Sequence, residues 1–154
     1  MALTATRPRA YAFADKVRLR LPLAFFNSGA QALIVTDLRL VIGDDAACDP
    51  LQWITTRTKL RPEHDDGHAF ATPFSVQGRG TRELIVEFGD DRGWTPAPGS
   101  RHSIVLQAQV HPSEEWADVV AFVWWAPPSD AMSQYLAHRN EPTGEQNNAT
   151  SPPG

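Results

Sequence analysis

The stretch LPLAFFNSGAQALIVTDLRLVIGDD, Leu21 to Asp45, sets two apolar runs around Asn-Ser-Gly and closes on Gly-Asp-Asp. Its reading separates a phosphate-binding glycine loop with an acidic metal site, which would make an enzyme, from turns between strands, which would make a scaffold. A P-loop needs a strand, a longer glycine loop ending in Lys-Ser/Thr, and then a helix whose N-terminus faces the phosphate. Here a second strand pattern follows and the loop holds no lysine. Asn and Gly tolerate positive φ in tight connections, so Asn27-Ser28-Gly29 reads as a turn.

On its N-terminal side Val17, Leu19, Leu21, Leu23 and Phe25 alternate with Arg18, Arg20, Pro22, Ala24 and Phe26, as in a strand with one buried face. On its C-terminal side Ile34, Leu38, Leu40 and Ile42 fall on even numbers against Asp37 and Arg39, a second strand. Further runs bounded by turn residues cover 51–60, 68–77 (with Phe70, Phe74 and Val76 on one face), 82–88, 102–110 and 116–126. About seven short alternating strands predict an all-β, antiparallel immunoglobulin-like β-sandwich. Pro73 cannot donate to a ladder and belongs at an edge or bulge. After a Pro stop, Ser129 or Asp130 could cap a short C-terminal helix over 129–139, with Met132 and Leu136 at i, i+4. Residues 1–15 read as a basic N-terminal arm, 16–139 as the sandwich with its helix, and 140–154, nearly devoid of apolar residues, as a disordered tail.

A chain of 154 residues, 42% hydrophobic, fits one domain that buries about 68–70% of its unfolded surface without staples. Cys48 is the single cysteine, which excludes an intramolecular disulfide and a thiolate-rich zinc site. Residues 1–20 carry five cations against Asp15, a local excess of +4 that leaves −8 for the rest of a chain of net charge −4. An acidic body argues against nucleic acid as a partner, because phosphate-backbone affinity comes largely from Lys and Arg. The longest apolar run, Val119 to Ala126, is far short of the ~20 residues of a membrane-spanning helix, so no membrane insertion is expected within this chain. If an anchor preceded the chain, Arg7, Arg9 and Lys16 would flank it and hold the domain on the cytoplasmic side. Without one, the stretch is a solvated arm of a cytoplasmic protein, the reading preferred here.

Gly-Asp-Asp occurs at 43–45 and 89–91, and Asp65-Asp66-Gly67 forms a third acidic turn. Turn formation explains all of them, while calcium, which takes six to eight oxygen ligands, is the alternative. If every strand reverses, Asp65, Asp66, Asp90 and Asp91 share one end of the sandwich and are the calcium candidates. His64 and His68 have the i, i+4 spacing of zinc ligands on a helix, but on a turn that spacing does not converge two imidazoles. No Gly-x-Ser-x-Gly elbow exists, and Cys48 sits in an acidic loop that raises its thiol pKa. No catalytic residue is therefore named.

Each of the five tryptophans can bury about 150–250 Å², which makes core packing the default and an aromatic platform the alternative. Trp94 lies in a proline-stiffened loop; Trp124 and Trp125 must point to opposite faces of one strand, so one of them leaves the core unless the helix covers it.

With the strands placed, LRLPLAFFNSGAQALIVTDLRL resembles the opening hairpin of bacterial immunoglobulin-like modules of the CARDB or fibronectin type. FSVQGRGTRELIVEF resembles their later hairpin, through Phe74, Val76, Gly78, Thr81, Leu84, Val86 and Phe88. The resemblance covers about a third of the domain. It implies a spacer, adhesive domain or partner-binding platform with no catalytic residues. The expectation is a non-catalytic interaction or structural domain that binds a protein partner or itself through Trp94, Trp124, Trp125, Met132, Tyr135 and Leu136. A carbohydrate-binding module using Trp94 with calcium-braced loops is the alternative, and a small hydrolase ranks below it.

Overall fold

In a computed structural model the structure describes residues 2–14, 18–43, 49–60, 67–90, 94–128 and 136–140. The strands are β1 (Leu3–Ala5), β2 (Ala10–Ala14), β3 (Arg18–Asn27), β4 (Leu33–Ile42), β5 (Leu51–Arg57), β6 (His68–Phe70), β7 (Phe74–Val76), β8 (Thr81–Gly89), β9 (Arg101–Val110), β10 (Ala117–Trp125) and β11 (Leu136–Arg139). All pairs are antiparallel, in one curled sheet of order β10-β9-β4-β5-β8-β3-β2-β11, with β1 on β3, β6 on β5 and β7 on β4. The fold is all-β, a half-barrel whose inner face holds the core. Alternation places that core: Leu19, Leu21, Leu23 and Phe25 of β3, Val86 and Phe88 of β8, and Ile104, Leu106 and Ala108 of β9 are all buried. No helix among the described residues is long and apolar enough to cross a membrane.

Several expectations change. The N-terminal arm is instead two strands, with Leu3, Tyr11, Ala12 and Phe13 in the core; Arg7 and Arg9 occupy only the exposed link between them. The C-terminal helix is not found: Leu136–Arg139 is a strand paired with β2, and 129–135 lie outside the described residues. Asn140, the first residue of the expected tail, is 4% exposed, while 141–154 are not described. The run 68–77 breaks at residues 71–73, around Pro73, so that β6 joins β5 and β7 joins β4. Phe70 is consequently exposed rather than sharing a buried face with Phe74 and Val76. In β4 an irregularity between Val35 and Asp37 shifts the phase, burying Val35 and exposing Ile34.

The two segments read as hairpins are arches. β3 pairs with β8, whereas β4 pairs with β9, so Asn27-Ser28-Gly29 carries the chain across the curl of the sheet. It is a turn, closed by the Gly29 N–H donating to Asn27 Oδ1 at 2.9 Å. Asn27 Nδ2 donates to the Gln31 carbonyl at 2.7 Å and to the Val76 carbonyl at 3.1 Å, tying this arch to the one at Gln77–Gly80. There Arg79 has φ 56°, its N–H donates to the Gly29 carbonyl at 2.8 Å, and the Asn27 N–H donates to the Gly80 carbonyl at 3.0 Å. A Cβ on Gly78 would fall onto the Ala30 carbonyl, so only glycine lets the arches meet.

Candidate functional site

β1 and β2 lie along the same edge of β3 with a break between them: Ala5 pairs with Phe25 and Ala12 with Arg20. Thr6 donates its N–H to the Ala24 carbonyl at 3.0 Å, which shows that even-numbered residues of β3 direct their backbone toward this edge. Pro22 is even-numbered and has no N–H, so β3 leaves no donor without a ladder partner where the chain from Thr6 to Arg9 departs from it. The departure leaves a groove of about 1070 Å³, which takes in Pro22 and Ala24 of β3, Ile85 of β8, and Val123 and Trp125 of β10. Arg7, Arg9 and Arg57 bring positive charge to it and Glu83 one negative charge.

Asn140 closes one end. Its N–H donates to the Arg9 carbonyl at 2.7 Å, and its Nδ2 donates to the Pro8 carbonyl at 3.0 Å and the Val123 carbonyl at 2.9 Å. Its Oδ1 accepts from the Trp125 N–H at 3.2 Å. The side-chain amide thus imitates one residue of a neighbouring strand on the edge of β10 and joins the two ends of the curled sheet.

Trp124 and Trp125 do point to opposite faces: Trp124 is fully buried and Trp125 is half-buried in the groove lining. Trp124 is covered by rings, not by a helix, with Tyr11, Phe13, Trp94 and His102 centred 5.3–6.0 Å away. Trp94 is half-buried against this cluster and meets His102 edge-on at 5.4 Å. Trp53 packs in the core on Phe74, and Trp116 lies under the Arg39 guanidinium, 4.2 Å from its ring centre. Met132 and Tyr135 are outside the described residues, and Leu136 is placed only as a member of β11.

Of the calcium candidates, Asp65, Asp66 and Asp91 lie outside the described residues and Asp90 is half-buried. No group of three or more His, Cys, Asp or Glu side chains among the described residues could hold a metal. Ser100 Oγ and His102 Nε2 approach to 2.7 Å, but the hydroxyl donates to the Ala97 carbonyl. The imidazole must then donate to the serine, the reverse of a base activating a nucleophile, and neither residue lines the groove.

On the face of β3, β8 and β5 opposite the core, Arg20, Glu87 and Thr55 are cross-strand neighbours. Arg20 Nε donates to Glu87 Oε2 at 2.9 Å, with both side chains at most 4% exposed. Arg57 Nη2 reaches Glu87 Oε1 at 3.3 Å, and Arg20 Nη1 donates to the Lys59 carbonyl at 3.0 Å. This ionic cluster lies beneath the Arg57 end of the groove, and a period-two reading would have assigned Arg20 and Glu87 to solvent.

His138 of β11 stacks on Tyr11, ring centres 5.2 Å apart, and burial lowers its pKa from the ordinary 6.5. The unfolded chain then takes up its proton first as pH falls. The stability this residue contributes is present above about 6.5 and is lost as pH falls through the folded value. Thermal melts between about pH 7.5 and 5 should decline less steeply in His138→Phe, which keeps the stack without the titration; parallel profiles would remove His138 as the source.

No protein-family model matches this chain, and no curated protein matches it. Among solved structures it is similar to a FixG-related protein from Vibrio parahaemolyticus, at 12% identity over 82% of this chain and 97% of that one, TM-score 0.45. It is also similar to Spo0M, a sporulation control protein from Bacillus subtilis, at 9% identity over 83% of this chain, of which it spans 49%, TM-score 0.39. These are all-β folds of a similar class, and likeness of this extent says nothing about activity or partners.

Proposed function

We propose that this chain is a non-catalytic protein-interaction domain of immunoglobulin-like ancestry, and that it holds its partner in the groove between the Thr6–Arg9 link and β10. The observation that carries this reading is the groove of about 1070 Å³ left by the interrupted edge of β3. It is large enough for several side chains and combines apolar floor residues with charged rims. Recognition by such a surface needs no reacting group.

Short random peptides displayed on phage and panned on the protein test the reading. Thr6 is exposed and lines the groove, and only its backbone N–H bonds to β3, so Thr6→Trp should obstruct the groove at the link while leaving the melting temperature within a few degrees. Selected peptides are expected to lose binding to Thr6→Trp by about tenfold or more. Peptides that bind the variant undiminished would place the interaction elsewhere.

A further inference from the structure

The same groove carries an inference about the chemistry of its partner, one that rests on the reading above. Two features of the seam between the ends of the sheet bear on it. The first is backbone. Val123 offers its carbonyl and Trp125 its N–H away from β9, and both are taken by Asn140. β10 has no strand partner other than β9 among the described residues. β1 comes close to β10 without forming a ladder. The edge of β10 is thus covered by Asn140 and β1, so a ligand of the groove meets side chains and not a free ladder.

The second feature is charge. Arg7 and Arg9 are exposed and line the groove, and neither forms an ion pair among the described residues. They stand out on a chain that is −8 beyond its first twenty residues. A basic rim on an acidic body selects a short acidic segment, since a long polyanion lying across the molecule would be repelled beyond the rim. The groove is also lined by apolar side chains, Pro22, Ile85 and Trp125 among them, which suit the alternate residues of an extended chain.

We infer that the groove takes an extended acidic peptide segment of a partner protein, with its carboxylates on Arg7 and Arg9 and its alternate apolar residues against the apolar lining.

Three fluorescently labelled peptides that alternate valine with aspartate, serine or lysine test this by anisotropy titration at low and high salt, against the wild type, Arg7→Glu/Arg9→Glu and Thr6→Trp. Both arginines are exposed, so the charge-reversed protein should melt with the wild type. The aspartate peptide is expected to bind, to weaken roughly tenfold in the double variant and with added salt, and to be lost in Thr6→Trp; the lysine peptide should gain affinity for the double variant. Serine or lysine peptides that bind the wild type as tightly as the aspartate peptide, yet are lost in Thr6→Trp, would overturn the acidic partner and leave the groove as the binding site. Absence of binding by all three, or binding that survives Thr6→Trp, would overturn both.

Discussion

Replacing Glu87 by Leu should destabilise the protein by about 3–5 kcal/mol, and replacing Arg20 by Met by a similar amount, whereas the double replacement should fall within about 1–2 kcal/mol of the wild type. The single changes strand a charge. Arg20 and Glu87 have side chains at most 4% exposed and meet at 2.9 Å, so removing the carboxylate leaves a guanidinium in a site that water barely reaches. Arg57, 3.3 Å from Glu87 and with a side chain 20% exposed, can turn toward solvent when its partner goes; Arg20 cannot. The double variant removes both charges together and fills their place with apolar volume, which offsets the desolvation that the native pair bears. Urea denaturation of the four proteins closes the cycle. A coupling energy of about 2 kcal/mol or more is expected, since buried ionic neighbours do not act additively. Additive losses would mean that the two residues act separately, and that the cluster holds no shared strength.

That cluster also shows where the sequence stops being legible. Leu19, Leu21 and Leu23 could be placed on a buried face because period two reports which side of a strand meets the core. The same rule sends Arg20 and Glu87 to the opposite side, correctly, and then to solvent, wrongly. Their burial depends on a contact between residues 67 positions apart and on the chain after β5, which supplies the Lys59 carbonyl; neither leaves a local pattern. The arches are a second case. Asn27-Ser28-Gly29 is recognisable as a turn because Asn and Gly are chemically suited to one, but a turn residue does not say whether the strands it joins will pair. The outcome was set by the other arch, through Val76 and Gly80. β2 escaped notice because the arginines before it signal solvent, while Tyr11 and Phe13 are held by partners far along the chain, among them Trp124. The groove was invisible for the same reason: Pro22 marks a missing ladder bond, but only β1 and β2 reveal that the gap opens there. Trp125 was foreseeable as a residue outside the core from its adjacency to Trp124, and the occupant expected to cover it, a helix, is replaced at residues 136–140 by a strand and the Asn140 amide.

Asn140→Ala is the change expected to loosen that seam, at a cost of about 2–4 kcal/mol. The loss of its amide leaves the Pro8 and Val123 carbonyls and the Trp125 N–H without the partners they have at 2.9–3.2 Å. Burial makes the loss severe, because Asn140 is 4% exposed and water cannot take over without opening the gap between β10 and the β2 side of the sheet. Asn140→Asp discriminates between this account and simple loss of volume. It is nearly isosteric and keeps an acceptor for the Trp125 N–H, but sets a carboxylate oxygen against two carbonyl oxygens where an NH₂ had donated to both. Aspartate should therefore be at least as damaging as alanine at neutral pH, and partly relieved at acid pH, where a protonated carboxyl can again donate one hydrogen bond. Hydrogen exchange should localise the damage to Val123–Trp125 and to the Thr6–Arg9 link, while the arches around Asn27 and Gly78 stay protected. An aspartate variant as stable as the wild type at neutral pH would show that shape, and not the two donated hydrogen bonds, is what Asn140 contributes. The groove would then owe its closed end to packing alone, and Asn140→Asp should leave its peptide affinity unchanged while Asn140→Ala lowers it.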